Sequence, residues 1–376
     1  MRTEVNISND MLIWAINRSG YELPEISEKV PNLIKWLNGE KKPTFKQLEV
    51  FSQKVYLPFG YLFLSEPPKE KLPIPFFRTN NSKEEKVSIN VYDTILLLQQ
   101  RQDWLSNYLK ENDFKKLPFV GKYNNKNSVN DIVTDIRKKL GLFENWANQF
   151  QTWTGALNHL IEIIEDKGII TVFNGIVGNN THRKIQVDEC RGFVLTDEYS
   201  PFMFINNADG KATQMFTVAH ELAHIWIGKS AGFDFRKLQP ADDPIEKLCD
   251  SIAAELLVPK IELNKFWKKQ KTINKAAKYF KVSEIVIARR LLDTGEISKS
   301  HFFEFYDEYS NREFVKKQNQ NPGGDFYATA LKRLSRTYSS HINNALNSGQ
   351  LLFLDACKLT GLKGDTFQKF FAEHVN

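Results

Sequence analysis

Apolar residues recur at helical spacing along most of this chain, whereas short apolar runs typical of strands are confined to its middle. Three such runs cover residues 169–173, 191–195 and 202–206, and turn residues separate the last two. Runs of this length that are rich in β-branched and aromatic residues favour buried strands. The pattern predicts an α+β protein that is predominantly α-helical, with one small antiparallel sheet.

The first 65 residues carry four short amphipathic segments joined by tight connections. Thr44 follows a proline and is placed to cap the fourth segment. Short helices with tight connections are typical of a helix-turn-helix bundle. The predicted helices run from Met11 to Ser19, Glu22 to Lys29, Pro31 to Leu37 and Thr44 to Val55.

Helical periodicity also dominates the later parts of the chain. Residues 88–112 predict a long helix that bridges modules, and residues 115–128 have the composition of a polar linker. Helices are predicted over 326–348 and 365–375, after a strong turn at 321–325. The predicted domains are residues 1–65, residues 66–127 as connector and bridging helix, residues 128–300 with helices near 129–140 and 155–166, and residues 301–376 as a helical C-terminal extension.

Composition narrows the class of protein. The chain has 376 residues, 41% of them hydrophobic, which is enough for two or three domains with their own cores. It has no run of eighteen apolar residues and no apolar signal segment, so we expect a cytoplasmic protein without a membrane partner. Cys190, Cys249 and Cys357 are few and odd in number, which fits a reducing compartment without a disulfide framework.

Positive charge is concentrated in residues 260–299, which hold eleven Lys or Arg against four Asp or Glu. Within them, residues 272–292 predict two helices, with Ser283 as N-cap of the second. The segment would meet nucleic acid or an acidic partner, and the alternative is an ordinary solvated face. The predicted basic face consists of Lys268, Lys269, Lys271, Lys275, Lys278, Lys281, Arg289 and Arg290.

The strongest chemical signal is an H-E-x-x-H motif formed by His220, Glu221 and His224 inside an apolar run. Histidines four residues apart lie one turn apart on a helix, so both imidazoles can bind one metal ion. Zinc is the expected ion, and Glu221 is placed as the general base that accepts a proton from an activated water. The alternative is a pair of core histidines bonded to backbone carbonyls.

A catalytic zinc needs a third protein ligand, and residues 245–259 are the nearest source. Glu246 and Asp250 are four residues apart, so one would bind the metal while the other orients an imidazole. Glu255 lies two to three turns further on. Cys249 as a thiolate ligand is the less favoured alternative, because a lone cysteine on a helix is usually a small buried apolar residue.

Three ordered blocks resemble the ImmA/IrrE metallopeptidases. They are residues 191–206, residues 216–226 with the H-E-x-x-H motif, and residues 245–259. The resemblance implies a zincin-like peptidase domain with His220, His224 and Glu246 as zinc ligands and Glu221 as general base. The family usually has Asn where this chain has Asp250, which affects only the orienting role of that position.

Residues 34–48 resemble the W-x-x-G-x-x-x-P-T feature of phage-repressor-like (XRE) helix-turn-helix domains, through Trp36, Gly39, Pro43 and Thr44. Such domains are often fused ahead of an ImmA/IrrE peptidase, and residues 67–78 resemble the connector in those fusions. DNA binding through residues 9–64 is therefore an expectation. Residues 1–65 hold eight Lys or Arg against seven Asp or Glu, and this small net positive charge is weak for binding phosphates. A module that docks a partner therefore stays the alternative.

The family chemistry is hydrolysis of one peptide bond in a regulatory protein, commonly a repressor. An extended substrate would pair with an edge of the small sheet, and Arg183 and Arg191 would orient its carbonyl or pair with a carboxylate. The function predicted is a zinc endopeptidase in a stress, mobile-element or toxin–antitoxin setting. The alternative is a DNA-binding regulator or antitoxin that neutralises a co-encoded toxin and uses the peptidase fold as a scaffold.

Overall fold

Helices make up most of the described chain, as the apolar periodicity predicts, so the predominantly helical α+β class is confirmed. The computed structural model describes residues 3–70, 76–77, 87–233, 243–312 and 325–375, with the backbone alone at 76–77 and 231–233. The chain divides into two units. The first comprises Met1–Pro73 and Lys83–Asp93, and the second comprises Ile74–Ser82 and Thr94–Asn376.

The first unit is a small bundle of short helices around one apolar core. Ser8 caps the first helix through its side chain, and Gly20 ends that helix with a left-handed backbone, φ 76°. Thr44 forms a capping box with Gln47, which confirms the predicted helix start. The elements are α1 Asn9–Ser19, α2 Leu23–Lys29, α3 Leu33–Leu37, α4 Phe45–Lys54 and a 3-10 helix at Phe59–Phe63, with Leu12, Ile26, Leu33, Leu48 and Phe51 in the core.

The remaining helices belong to the second unit, except that the start of α5, up to Asp93, belongs to the first. The long helix predicted over 88–112 is present as α5 Ile89–Glu111, and the two helices expected near 129–140 and 155–166 are present as α6 Val129–Leu140 and α7 Trp153–Glu165. The others are a 3-10 helix at Trp146–Gln149, α8 Lys211–Ile227, α9 Pro244–Leu257, α10 Lys260–Lys269, α11 Ile273–Phe280, α12 Glu284–Asp293, α13 Lys299–Ser310, α14 Phe326–Leu334, α15 Arg336–Asn347, α16 Phe353–Thr360 and α17 Gly364–His374.

The main sheet of the second unit has five strands in the order β1-β7-β5-β6-β2, and a separate hairpin is formed by β3 and β4. The three predicted strands are present as β2, β5 and β6, and every residue in them is buried. The bounds are β1 Phe76–Phe77, β2 Ile170–Asn174, β3 Ile176–Val177, β4 Asn180–Lys184, β5 Gly192–Leu195, β6 Phe202–Asn206 and β7 Ala231–Phe233.

The sheet is mixed, so the prediction of a purely antiparallel sheet is wrong in detail. The β5 strand pairs antiparallel with β6 and with β7, whereas β2 runs parallel to β6 and β1 runs parallel to β7. Strand direction cannot be deduced from apolar runs, because a buried strand has the same composition in either orientation.

Two segments depart from the predicted elements. Residues 115–128 are mostly exposed, as expected of a polar linker, but they are also anchored to α8. Phe119 stacks on Trp226 with ring centroids 4.4 Å apart. The N–H of Gly121 donates to the carbonyl of Ile225 at 2.9 Å, and the N–H of Tyr123 donates to the carbonyl of Trp226 at 3.0 Å. The helix predicted over 326–348 is broken at Ser335, where φ is 72°. The predicted turn at 321–325, apart from Asp325, and half of the connector at 67–78 lie outside the described residues.

The basic segment is helical as predicted, but its cationic face is smaller. Lys281 is only 5% exposed and lies over the ring of Trp153. Arg290 donates to the carbonyl of Val258 and forms an ion pair with Glu255. These two cations serve packing within the unit and are not available to a partner. No helix within the described ranges combines the length and apolar character needed to cross a membrane.

Candidate metal centre

The centre is built on two packed helices, α8 and α9, whose ends are fixed by local signals. The α8 helix ends at Gly228, which has a φ of 72°, and a Cβ there would lie 2.7 Å from Cα of Gly121. The α9 helix begins with Pro244 at its first position, and Asp243 accepts hydrogen bonds from the N–H groups of Ile245 and Glu246. These signals fix where α8 ends and where α9 begins.

Three side chains converge between the helices. His220 Nε2 lies 3.1 Å from His224 Nε2 and 3.1 Å from Glu246 Oε2, and His224 Nε2 lies 3.3 Å from Glu246 Oε1. All three residues are completely buried. They form a group whose ligand atoms could hold a metal ion together.

The donor set fits a zinc ion in both chemistry and size. Two imidazoles and one carboxylate are a common ligand set of catalytic zinc. Ligand atoms at about 2.0–2.1 Å from zinc in tetrahedral geometry are separated from one another by roughly 3.3 Å. The observed separations of 3.1 to 3.3 Å match that spacing. Two ring nitrogens this close cannot both carry a proton, so a cation between them resolves a conflict that a hydrogen bond resolves only in part.

Asp250 occupies the orienting position expected of it. Its Oδ1 lies 2.9 Å from Nδ1 of His220, on the side of the ring opposite Glu246. A carboxylate that accepts from the second ring nitrogen fixes the orientation of a metal-binding imidazole. His224 has no equivalent support, because its Nδ1 is buried without a hydrogen-bond partner among the described residues.

Glu221 is the least satisfied group of the centre. It is completely buried, and neither of its carboxyl oxygens has a hydrogen-bond partner in the part of the chain that the structure describes. Burying a polar group in this way costs free energy unless a ligand or substrate completes it. The vacant hydrogen-bonding capacity of Glu221 therefore points to a group that is bound during function.

Gly192 of β5 makes room for this carboxyl, and sequence analysis did not identify it as a site residue. A Cβ at position 192 would lie 2.6 Å from Thr217 Cγ2, 3.0 Å from Glu221 Oε1 and 3.0 Å from the carbonyl oxygen of Phe204. Only glycine allows β5 and α8 to approach this closely. In the sequence, the only indication of this role is the glycine between Arg191 and Phe193. The glycine is needed because β5 and α8 lie so close together, which the sequence does not show.

The charges of the centre depend on burial and on mutual contacts. Burial lowers the pKa of His220, but hydrogen bonds to Asp250 and Glu246 outweigh it and raise the pKa to about 10. Burial lowers the pKa of His224. Burial raises the pKa of Glu246, but the two histidines overcome this effect and lower the pKa to about 2. The two carboxylates on α9 therefore favour positive charge at His220, between them.

Glu221 differs from Glu246 because no hydrogen bond offsets its desolvation. Burial, with the nearby charge of Glu246, raises the pKa of Glu221 to about 8 against the smaller opposing effect of His220. A cation in the triad would favour the ionised form of this carboxyl. The same carboxyl would then be able to accept a proton near neutral pH.

The other ligand candidates on α9 lie outside the triad. Cys249 is completely buried in the core, and burial raises the pKa of its thiol well above the usual value, so it stays protonated. Glu255 forms an ion pair with Arg290 and accepts from the N–H of Lys260. Neither residue belongs to the group that could hold an ion.

The two predicted arginines lie in different parts of the second unit. Arg191 directly precedes β5, and its guanidinium lies 3.5 Å from the carboxylate of Asp209. Arg183 is buried on β4 of the separate hairpin. Contact of either arginine with a substrate stays a prediction.

The sheet does not offer β5 as an edge for an extended substrate. One side of β5 pairs with β6 and the other with β7, and β1 pairs with the far side of β7. Within the described residues the edges of this sheet are β1 and β2, and pairing of an extended substrate with a sheet edge stays a prediction. The short strand β7 has only three residues, and neither it nor β1 was predicted.

Residues 165–292 match the family model of the IrrE N-terminal-like domain, a peptidase family. The matched range contains the triad, Glu221, Asp250 and Gly192. This part of the chain is therefore similar to the ImmA/IrrE peptidases, as the three sequence blocks predict, and the match suggests a metallopeptidase. Residues 334–374 match a domain of unknown function (DUF8813). No curated protein matches the chain significantly. Neither family match covers residues 1–164, so the helix-turn-helix assignment stays a prediction.

Proposed function

We propose that the chain is a zinc-dependent endopeptidase that cleaves a regulatory protein. The observation that carries this proposal is the convergence of His220, His224 and Glu246 beside a buried glutamate, Glu221, whose carboxyl oxygens have no hydrogen-bond partner among the described residues. A structural histidine pair would need no such glutamate. The similarity of residues 165–292 to a peptidase family supports the same reaction class.

Each residue has a distinct role in the proposed reaction. His220, His224 and Glu246 would hold the zinc ion, and Asp250 would keep His220 in its binding orientation. When bound, zinc supplies Lewis acidity that polarises a carbonyl and makes water easier to deprotonate. Glu221 accepts the proton of the attacking water and returns it to the leaving amine. Gly192 keeps space for the Glu221 carboxyl in front of β5.

The experiment that tests this proposal replaces Glu221 with Gln, which has the same shape but accepts no proton. The full chain would be loaded with zinc and incubated with the protein products of neighbouring genes, and fragments would be identified by mass spectrometry. We expect full zinc occupancy and at least a roughly 100-fold loss of cleavage. Glu144→Gln is the matched control, because Glu144 is an exposed glutamate outside the centre. Cleavage by Glu221→Gln at the control rate would refute the catalytic role.

A second function is supported by a different observation: the surface of the N-terminal unit. Ile34 on α3 and Phe45 on α4 are 43% and 49% exposed, and apolar side chains suit a protein partner better than phosphates. In this alternative, the protein is a regulator or antitoxin that neutralises a co-encoded toxin. Toxin neutralisation that persists in Glu221→Gln and is lost in an Ile34→Asp/Phe45→Asp variant would favour it over proteolysis.

A further inference from the structure

A cavity of about 560 Å³ in the second unit lies between α7, the start of α8, and the helices α14 and α15. This volume is in the range of small-molecule binding sites. None of the metal-centre residues lines it. Its apolar wall includes Leu157, which is 2% exposed, and Phe173, which is 5% exposed. The cavity therefore combines an apolar interior with an open mouth, which is the form of a site for a small organic ligand.

Three cations line the cavity, and no carboxylate neutralises them. Lys211, Lys332 and Arg336 form no ion pair with any described residue, and Lys211 Nζ donates only to Gln214 Oε1, at 3.0 Å. Lys211 and Lys332 line the same cavity, and burial together with the positive charge of Lys332 lowers the pKa of Lys211. The fold holds like charges together at this position without a partner of opposite sign.

The carboxyl groups on the lining do not compensate these cations. Glu165 is buried and engaged: it accepts from Thr171 Oγ1 at 2.5 Å and from Ser335 and the backbone N–H groups at the start of α15. Glu162 and Asp166 are exposed at the end of α7, whereas the three cations lie on α8, α14 and α15. The lining thus carries both signs of charge on different helices, and the charge sign that a ligand prefers is a testable property.

One further feature of the lining favours an anion beside Lys211. Lys211 is the first residue of α8, a 17-residue helix whose N-cap, Gly210, provides no side-chain acceptor for the first N–H groups. Negative charge is favoured at such a helix start.

We propose that this cavity binds a small organic anion, with its acidic head between Lys211 and Lys332 and its apolar body against Leu157 and Phe173. The head would be a carboxylate, phosphate or sulfonate, because each can bridge two ammonium groups. The proposal is independent of peptidase activity and of metal binding.

Two probes with the same aromatic body and opposite charge test the proposal: naphthalene-1-sulfonate and 1-naphthylmethylammonium. Binding of each to the full chain would be measured by isothermal titration calorimetry. We expect one site for the sulfonate and at least tenfold weaker binding of the ammonium compound. In Lys211→Gln/Lys332→Gln, sulfonate binding should fall at least tenfold. Lys268→Gln/Lys269→Gln is the control, because it removes two exposed lysines of α10 outside the cavity and should leave binding unchanged.

A second variant separates the cavity from other apolar surfaces. Ile161→Trp places a bulky indole ring on the lining of the cavity and should abolish sulfonate binding. The circular dichroism spectrum and the melting temperature of this variant should stay near those of the wild type. Equal sulfonate affinity in the wild type and Lys211→Gln/Lys332→Gln would overturn the proposal. Tighter binding of the ammonium probe than of the sulfonate would also overturn the proposal, since Glu162 and Asp166 would then determine which ligand binds.

Discussion

Two buried glutamates in neighbouring parts of the second unit have opposite surroundings. Glu165, at the end of α7, accepts from Thr171, Ser335 and backbone N–H groups of α15. Glu221, in α8, is buried as deeply but has no hydrogen-bond partner among the described residues. Burial raises the pKa of both carboxyls.

The difference separates a structural carboxyl from a functional one. A buried acceptor that receives several donors contributes to stability, whereas an unpartnered one lowers it. Glu165 joins the peptidase-like part to the C-terminal helices, while Glu221 lies next to a group of metal-binding side chains. The comparison predicts that substitutions at the two places will affect different properties: metal binding at one, and folding stability at the other.

The largest expected effect is on metal binding at the Glu221 side. Glu246→Ala removes one of three converging ligand atoms and leaves two histidines that cannot complete a zinc site. We expect zinc affinity to fall by more than the roughly 100-fold that follows loss of an orienting residue. Competition with a chromophoric chelator would measure it, and Glu165→Gln is the control that should keep wild-type affinity. Unchanged zinc binding in Glu246→Ala would exclude the triad as the metal site.

The second effect is the contribution of Glu221 to the pH dependence of stability. Its folded pKa of about 8 exceeds the ordinary value of 4.5, so the native protein holds a proton that the unfolded chain releases between these pH values. The contribution of Glu221 to the free energy of unfolding of the zinc-free protein should therefore decrease as pH rises from 4.5 to 8.

Glu221→Gln has no such proton, so its stability relative to the wild type should increase across the same window. We expect no difference near pH 4.5 and a few kcal/mol in favour of the variant at pH 8, since each pKa unit corresponds to about 1.4 kcal/mol. Urea unfolding in the presence of a chelator would measure both proteins. A difference that does not change with pH would show that the carboxyl is not buried without partners in solution.

The third effect concerns stability at the Glu165 side. Glu165→Ala leaves backbone N–H groups at the start of α15 without their acceptor, and each unsatisfied buried donor costs about 1–3 kcal/mol. We expect a loss of about 2–4 kcal/mol in the free energy of unfolding, with zinc binding intact. Glu165→Gln retains an acceptor oxygen and should lose less than half as much. Equal destabilisation by Ala and Gln would mean that these hydrogen bonds contribute little.

The residues that sequence reasoning identified at the centre are those whose roles follow from spacing along one helix. His220 and His224 are one turn apart, and Glu246 and Asp250 are one turn apart, so each pair had to share a helix face. Which carboxylate faces the Nε2 atoms depends on the rotation of α9 against α8, which spacing along one helix cannot supply.

Features that depend on contacts between distant segments were missed. Residues 325–348 contain no proline or glycine that would predict the break at Ser335. The break lies where Glu165 forms hydrogen bonds with the start of α15. The burial of Lys281 depends on Trp153, which is far away in sequence. The strands β1 and β7 have two and three residues, too few for a periodic signal. Tertiary contacts override local pattern in each case.

The smallest and most specific effect should come from Gly192. A methyl group there would overlap Thr217 Cγ2, at 2.6 Å, more severely than Glu221 Oε1, at 3.0 Å. Gly192→Ala should therefore destabilise the fold by about 1–3 kcal/mol, as overpacked sites do. Gly192→Ala/Thr217→Ser removes the closest contact and should recover most of that stability. Thermal unfolding and zinc titration of both variants would measure the effect.

The double variant keeps the contact with Glu221, so it separates packing from function. If Gly192 makes room for the carboxyl of Glu221, Gly192→Ala/Thr217→Ser should bind zinc normally but cleave its protein substrate at least roughly tenfold more slowly than Thr217→Ser alone. The reason is that a small displacement of a general base lowers the reaction rate strongly. Full cleavage by the double variant would assign Gly192 to helix–strand packing only. In that case α8 alone would position Glu221, and Glu221 would differ from Glu165 only in its hydrogen bonds.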